Sequence, residues 1–307
     1  MKYTSLGRTG LNVSVFGLGG GGHSRLGKSQ NKSEAESVAI VRQALDAGVN
    51  FIDTAEGYGT EEIVGKGLAG VKRDSVILST KKSTDGITPD AVRASLDASL
   101  KRLGTDYVDV YHLHGVATED YERLLNDIVP TFETLRQQGK IRFIGITERF
   151  GSDTQHTMLQ RALQDTVWDV MMVGFNFLNQ SARERVFAST IQQNIGVLVM
   201  FAVRRALSDP QKLCETLDQL VSSGQIDAAD LDADEALKFP QADSPDLTDA
   251  AYRFCIDEPG THVILSGTGS PEHLRENLES FTRPPLSPVT TQRLRHIFRR
   301  VDSVSGQ

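Results

Sequence analysis

Hydrophobic positions along the chain alternate between short continuous runs and stripes of helical period, which predicts strands and helices in turn. After a polar N-terminal stretch, Val15 to Gly20 reads as a strand, leading into the glycine run Gly19 to Gly22. Ser33-Glu34-Ala35-Glu36 has the form of a capping box: the serine caps a helix and the glutamate reaches back to the open amide. That helix carries Val38, Val41, Ala44 and Leu45 on one face and ends at Gly48. A strand over 50–55, a helix over about 60–68 and a strand over 75–81 follow. Thr88-Pro89 caps a helix with proline in its first turn, running to Leu103. Strands at 107–114, 142–147, 170–175 and 196–201 then alternate with helices at 121–138, 155–163 and 183–193. A long polar connection, roughly 202–246, contains a helix opening at Asp209-Pro210. A helix over 247–256, a strand over 262–268, a helix from Ser270-Pro271 to Phe281 and a last helix at about 289–301 close the chain.

Eight strands, each followed by a helix, predict a parallel sheet with right-handed crossovers, and eight is the count of a TIM barrel. The expected fold is therefore a single-domain (β/α)8 barrel spanning the 307 residues. A doubly wound open sheet is the alternative. It is weakened because Ser24 to Asn31 separate the glycines Gly17 and Gly19 to Gly22 from the next helix, unlike a dinucleotide fingerprint.

Composition narrows the class. Hydrophobic residues make up 39% of the chain, enough for a sizeable core, and the net charge is −7. An acidic chain without a long Lys/Arg run argues against nucleic acid and anionic membranes. Two cysteines, Cys214 and Cys255, lack disulfide-framework or metal spacing. The acidic stretch Asp227 to Glu235 lacks metal spacing as well, so no metal is expected. With no apolar leader and no run near the length of a membrane span, the expectation is a cytoplasmic protein.

Barrel chemistry sits at the C-terminal ends of the strands. Those ends read Asp53, Lys81, His114, Thr147-Glu148, Met172, Phe201 and Gly267-Thr268, and Tyr58 lies on the loop after Asp53. A tyrosine is a poor acid at neutral pH, but an adjacent ammonium favours its phenolate. A carboxylate can hold that ammonium, and a histidine can donate to a substrate oxygen. Such a cluster suits protonation of a carbonyl as hydride arrives, or the reverse.

The sequence resembles the aldo-keto reductase family. The resemblance lies in the stretch from Asp53 through Tyr58-Gly59 to Glu61, in Ser79-Thr-Lys81, and in the stretch from Asp106 to His114. It continues in Arg142-Phe-Ile-Gly-Ile-Thr147 and in the stretch from Gly267 to Asn277, and together it covers about Leu6 to Phe281. It implies a barrel that binds NADP(H), or less often NAD(H), before a carbonyl substrate, with Asp53, Tyr58, Lys81 and His114 as the catalytic positions. It implies cofactor contacts at Gly20, Thr147, Glu148, Met172, Phe201, Gly267, Thr268, Ser270, His273, Glu276 and Asn277. Thr147-Glu148 stands where the family commonly has Ser-Asn, and Met172 where a glutamine completes the carboxamide grip. Phe201 matches the aromatic that stacks on the nicotinamide. Gly267 and His273 occupy positions where many NADP-preferring members carry lysine and arginine. Arg275 is a partial substitute, and Arg204 or Arg205 is expected at the pyrophosphate. NADP(H) is slightly preferred, with a small carbonyl or alcohol as substrate. An NAD-linked sugar or polyol dehydrogenase and a non-catalytic, redox-sensing cofactor-binding subunit are the alternatives. His112 shares strand parity with His114 and reads as a support residue.

Overall fold

The computed structural model describes residues 1–231, 237 and 243–307. Eight parallel strands close into a barrel: β3 (Phe16–Gly19), β4 (Phe51–Asp53), β5 (Ile77–Ser83), β6 (Val108–Val116), β7 (Ile141–Glu148), β8 (Val170–Gly174), β9 (Gly196–Met200) and β10 (Val263–Ser266), the last pairing with β3. The (β/α)8 barrel expected from the alternation is the fold that forms. The N-terminal stretch, polar in sequence, is a hairpin of β1 (Tyr3–Ser5) and β2 (Asn12–Ser14). Leu6, Leu11 and Val13 from this hairpin join Phe51, Ile77, Val110, Val170, Leu198 and Val263 in an apolar cluster. These barrel residues lie at or near the N-terminal ends of their strands, so the hairpin plugs the end opposite the chemistry.

Side chains alternate across a strand, and every second residue faces the barrel interior. The parity that turns Phe51, Ile77 and Val110 inward also turns Asp53, Ser79, Lys81, His112 and His114 inward, one or two layers higher. Small residues make room between the layers. A Cβ on Gly145 would lie 2.1 Å from His112 Nδ1, and one on Gly17 2.5 Å from Val263 Cγ1.

The helices form the outer ring. Helix α1 (Glu34–Asp46) has both bonds of its capping box between Ser33 and Glu36, and α2 spans Glu61–Gly67. Helix α3 (Pro89–Leu103) is capped by Thr88, which accepts from the Ala91 amide. The helix predicted over 121–138 is two helices, α4 (Tyr121–Asp127) and α5 (Val129–Gln137). Pro130 has no amide to donate to residue 126, and its ring crowds that carbonyl, so the chain breaks at Ile128. Helix α6 spans Thr157–Ala162. The helix predicted over 183–193 starts as a π-helical turn, Arg183–Phe187, before α7 (Ala188–Gln192). In the long connection after β9, α8 (Pro210–Ser222) is capped by Asp209, as its sequence suggested. Residues 232–235 of the acidic stretch lie outside the described residues. Helices α9 (Leu247–Ile256), α10 (Pro271–Ser280) and α11 (Pro288–Ile297) complete the ring. The C-terminal tail then returns to the loops after β8 and β9. Asn179 Nδ2 donates to the Val304 carbonyl (2.9 Å), Asn176 Nδ2 to that of Ser305 (3.1 Å), and the Ala206 amide to that of Gly306 (3.1 Å).

Candidate active site

Three ionisable side chains from neighbouring strands, Asp53, Lys81 and His114, meet Tyr58 of the turn after β4 at the C-terminal mouth. Lys81 Nζ lies 2.5 Å from Asp53 Oδ2 and 2.7 Å from the Thr54 carbonyl oxygen. Ser79 Oγ donates to the other Asp53 oxygen at 2.7 Å. His112 Nε2 lies 3.1 Å from Ser79 Oγ, whose proton is already engaged by Asp53, so His112 donates from Nε2. A chain of bonds therefore runs from His112 through Ser79 and Asp53 to Lys81. Sequence parity pointed to His112 as a support. The part played by Ser79 was missed, although it shares a face with Lys81 two residues on.

Tyr58 sits across from this chain. Its hydroxyl is 3.1 Å from His114 Nε2, their rings meet edge to face, and Lys81 Nζ lies 5.2 Å from the phenol ring centroid. Burial and the Lys81 charge push the His114 pKa down to about 3, so its imidazole is neutral at physiological pH. A neutral imidazole can donate one hydrogen bond to a substrate oxygen while the phenol carries the transferable proton. Burial raises the Tyr58 pKa, against the opposing charges of Lys81, Arg204 and Arg25. The ammonium acts in the direction foreseen from sequence, but desolvation outweighs it. Burial also raises the Asp53 carboxyl against the pull of Lys81 and Ser79.

Local sequence explains why Tyr58 points here. Its short turn is pinned by Glu56, which accepts from Lys82 Nζ (2.7 Å), the Ser83 amide (2.9 Å) and the Ser95 hydroxyl. Lys82 is thus an anchor for this turn. Gly21 lies flat on the other side of the ring: a Cβ there would come within 2.4 Å of Tyr58 Cε2. Gly20 donates its amide to the Asp53 carbonyl (2.7 Å) and accepts from Thr60 Oγ1 (3.0 Å). Glu61 is buried and accepts from Thr80 Oγ1 (2.6 Å) and Arg102 Nε (2.7 Å), which ties α2 to β5 and α3.

The residues expected around a nicotinamide divide into two groups. Thr147 Oγ1 accepts from the Gly115 amide at 2.6 Å, which leaves its own proton available. Glu148 does not offer the free acceptor suggested by sequence. It has the opposite strand parity to Thr147, and its oxygens are taken by His156 Nδ1 (2.9 and 3.0 Å) and the Gly174 amide (2.7 Å). Met172 packs into the apolar interior with Leu198 and Val170. Phe201, expected at the end of a strand, is the first residue after β9, with φ +67°, and Phe150, itself stacked on His156, meets its ring edge to face. Arg204 turns inward and stacks on Phe201, with Cζ 3.7 Å from the ring centroid, whereas Arg205 is exposed.

Around the eighth strand, Thr268 Oγ1 accepts from the Ser270 amide, and Ser270 caps α10 by accepting from the His273 amide. Gly267 must be glycine, because a Cβ would come within 2.7 Å of the Gly19 carbonyl oxygen. Asn277 Nδ2 donates to Ser266 Oγ (3.0 Å). His273 and Glu276 are exposed, and Arg275 faces Glu272 and Glu279 on its own helix. Among the described residues, no group of three or more His, Cys, Asp or Glu could hold a metal, and no helix is long and apolar enough to cross a membrane.

A closed parallel barrel that gathers a phenol, an ammonium, a carboxylate and a neutral imidazole at its strand ends has the build of a barrel enzyme with proton-transfer groups at its mouth. The chain belongs to the aldo-keto reductase family, whose sequence model matches residues 17–298. It is 40% identical to the L-galactose dehydrogenase of Arabidopsis thaliana over 157 residues, a stretch covering 48% of each chain. It is 29% identical to the aldo-keto reductase YhdN of Bacillus subtilis over 300 residues, 89% of this chain and 87% of that one. In fold it is similar to the holo form of the aldo-keto reductase AKR11C1 from Bacillus halodurans. The TM-score is 0.75 at 24% identity, over 99% of this chain and 98% of that one. The aldo-keto reductase family is one of NAD(P)-dependent oxidoreductases, and its enzymes act on small carbonyl compounds.

Proposed function

We propose that Tyr58 is the general acid in carbonyl reduction and the general base in alcohol oxidation, with His114 orienting the substrate oxygen. Lys81, held by Asp53, stabilises the phenolate. The observation that carries this reading is the convergence of Tyr58 and His114, at 3.1 Å, beside the buried Lys81–Asp53 pair. A neutral His114 leaves the phenol as the group that exchanges a proton with the substrate.

The nicotinamide cofactor implied by the family supplies or accepts the hydride. The residues present fit it at two places. Phe201 offers an aromatic face and Thr147 a hydroxyl proton with no acceptor among the described residues, while Thr268 and Ser270 open a helix N-terminus suited to phosphate. Gly20, Gly267 and Asn277 shape the floor of that site, His273 and Glu276 lie at its adenosine end, and Arg205 at the rim is available to a pyrophosphate. Met172 contributes packing alone, and Glu148 acts through His156.

The substrate is a small aldehyde, ketone or sugar. Oxidation of a sugar is favoured by the similarity to L-galactose dehydrogenase. The engagement of Arg275 by its own helix also leaves no arginine on α10 for a 2′-phosphate, so NAD(H) serves alongside NADP(H). Steady-state oxidation of NADPH and NADH, and reduction of both oxidised forms, across aldehydes, ketones and aldoses tests this. Turnover with at least one pair is expected. Tight cofactor binding with no turnover on any class would point instead to a redox-reporting subunit.

A further inference from the structure

Arg204 stands out among the arginines of the molecule. Its guanidinium stacks on Phe201 in the loop after β9 and reaches across the mouth to the loop after β3, where a Cβ on Gly22 would lie 3.7 Å from its Nη1. The neighbouring Gly21 lies on the Tyr58 ring, and Gly306 of the C-terminal tail packs against the Arg204 stem. The guanidinium is thus held over the same opening that Tyr58 faces.

It has no counter-charge there. Among the described residues no carboxylate lies within ion-pair distance of Arg204, and none of Arg25, whose charge also acts on Tyr58. Several other arginines drawn into the structure have carboxylate partners: Arg73 with Asp109, Arg183 with Glu258 and Arg253 with Asp249. Carboxylates are not scarce, since the chain has 40 of them against 33 lysines and arginines. Burial pushes the Arg204 pKa down. A partly desolvated, unpaired guanidinium on a platform is a receptor for an anion, because planar N–H groups match carboxylate and phosphate oxygens.

We propose that Arg204, assisted by Arg25, forms an anion subsite beside Tyr58, and that the preferred substrate carries a carboxylate or phosphate near its reacting carbon. The proposal rests on Tyr58 marking the position of the substrate oxygen. The same anion chemistry could come from the cofactor's pyrophosphate, and the test separates the two sources.

Wild type, Arg204→Met, Arg204→Lys and Arg25→Met are compared on matched probes: butyraldehyde against succinic semialdehyde, and galactose against galacturonate. Each is followed by kcat/KM and by calorimetric titration of galactose and galacturonate into the cofactor-loaded protein. NADH and NADPH affinities are measured by cofactor fluorescence. Arg204→Met is expected to lower kcat/KM, or affinity where turnover is absent, about tenfold or more for the acidic member of a pair, the size of a lost charge-assisted hydrogen bond. The neutral member and both cofactor affinities should stay within about twofold, with Arg204→Lys intermediate and Arg25→Met weaker in effect. If acidic and neutral probes fall together, or if the loss appears in NADH and NADPH binding, the substrate subsite is refuted, and in the second case the arginine serves the cofactor. If no probe turns over while galacturonate still binds in an Arg204-dependent way, the anion subsite stands and the hydride-transfer reading falls.

Discussion

The buried pair Lys81–Asp53 can be tested for stability and for chemistry separately. Lys81 is 0% and Asp53 3% exposed, and Nζ is 2.5 Å from the carboxylate. Lys81→Met removes the ammonium and leaves a carboxylate in the interior supported by Ser79 alone. Asp53→Asn leaves an ammonium supported by the Thr54 carbonyl. Breaking one side of a buried ion pair costs about 3–5 kcal/mol, chiefly because of the charge left behind. Each single variant should therefore lose that much stability in denaturant titrations. The double variant Lys81→Met/Asp53→Asn strands no charge and should lose less than about 2 kcal/mol, giving a coupling of several kcal/mol between the sites. Turnover should behave differently. Both variants lacking Lys81 should fall by about 10² or more, the scale of acid–base contributions, because nothing else adjacent to Tyr58 supplies a charge so directly. Unfolding is followed by fluorescence and circular dichroism together, so that coincident transitions license the comparison. Additive stability losses would refute the account of the pair, and recovery of turnover in the double variant would refute the role given to Lys81.

Other outcomes follow from the same geometry. Gly21→Ala places a Cβ within 2.4 Å of Tyr58 Cε2, so the ring must move; turnover should drop about tenfold or more while the unfolding midpoint changes little, and unchanged turnover would show that Gly21 does not position the phenol. His114 is held neutral with a pKa near 3, whereas an unfolded chain protonates near 6.5. Between those values the unfolded state binds the extra proton, so stability is complete above pH 6.5 and declines as pH falls towards 3, by at most about 1.4 kcal/mol per pH unit. Denaturation midpoints in that window should slope less steeply in His114→Asn, and an identical slope would contradict the assignment. Gly174→Ala would put a Cβ within 2.0 Å of Phe150, whose ring supports Phe201; cofactor affinity should weaken several-fold, read by cofactor fluorescence, and unchanged affinity would detach Phe201 from the nicotinamide.

Much of the architecture was legible because local chemistry and global fold agree. Ser33 with Glu36, Thr88-Pro89 and Ser270-Pro271 cap helices where their sequences say they should. The strand ends could be ordered by eye, which brought Asp53, Lys81 and His114 to one level, and strand parity added His112 beneath His114. What escaped had no local signature. The N-terminal hairpin has three-residue strands whose apolar residues act only once the barrel exists to be plugged. Pro130 was hidden within an otherwise regular apolar stripe. The pairing of Glu148 with His156 depends on a left-handed backbone at His156, φ +60, that sequence does not announce. Parity did hold a warning, since adjacent residues such as Thr147 and Glu148 point to opposite faces. Gly21 and Glu56 hold Tyr58 through contacts with elements far along the fold, so their composition alone carried no sign of the role.

The central claim is that Tyr58 delivers or removes the proton that accompanies hydride transfer. Single-turnover rates with the best carbonyl substrate, measured for wild type and Tyr58→Phe beside the NADPH and NADH dissociation constants of both, test it most directly. The account predicts a rate lower by about 10² or more with cofactor affinities unchanged. A Tyr58→Phe rate within a few-fold of wild type would contradict it.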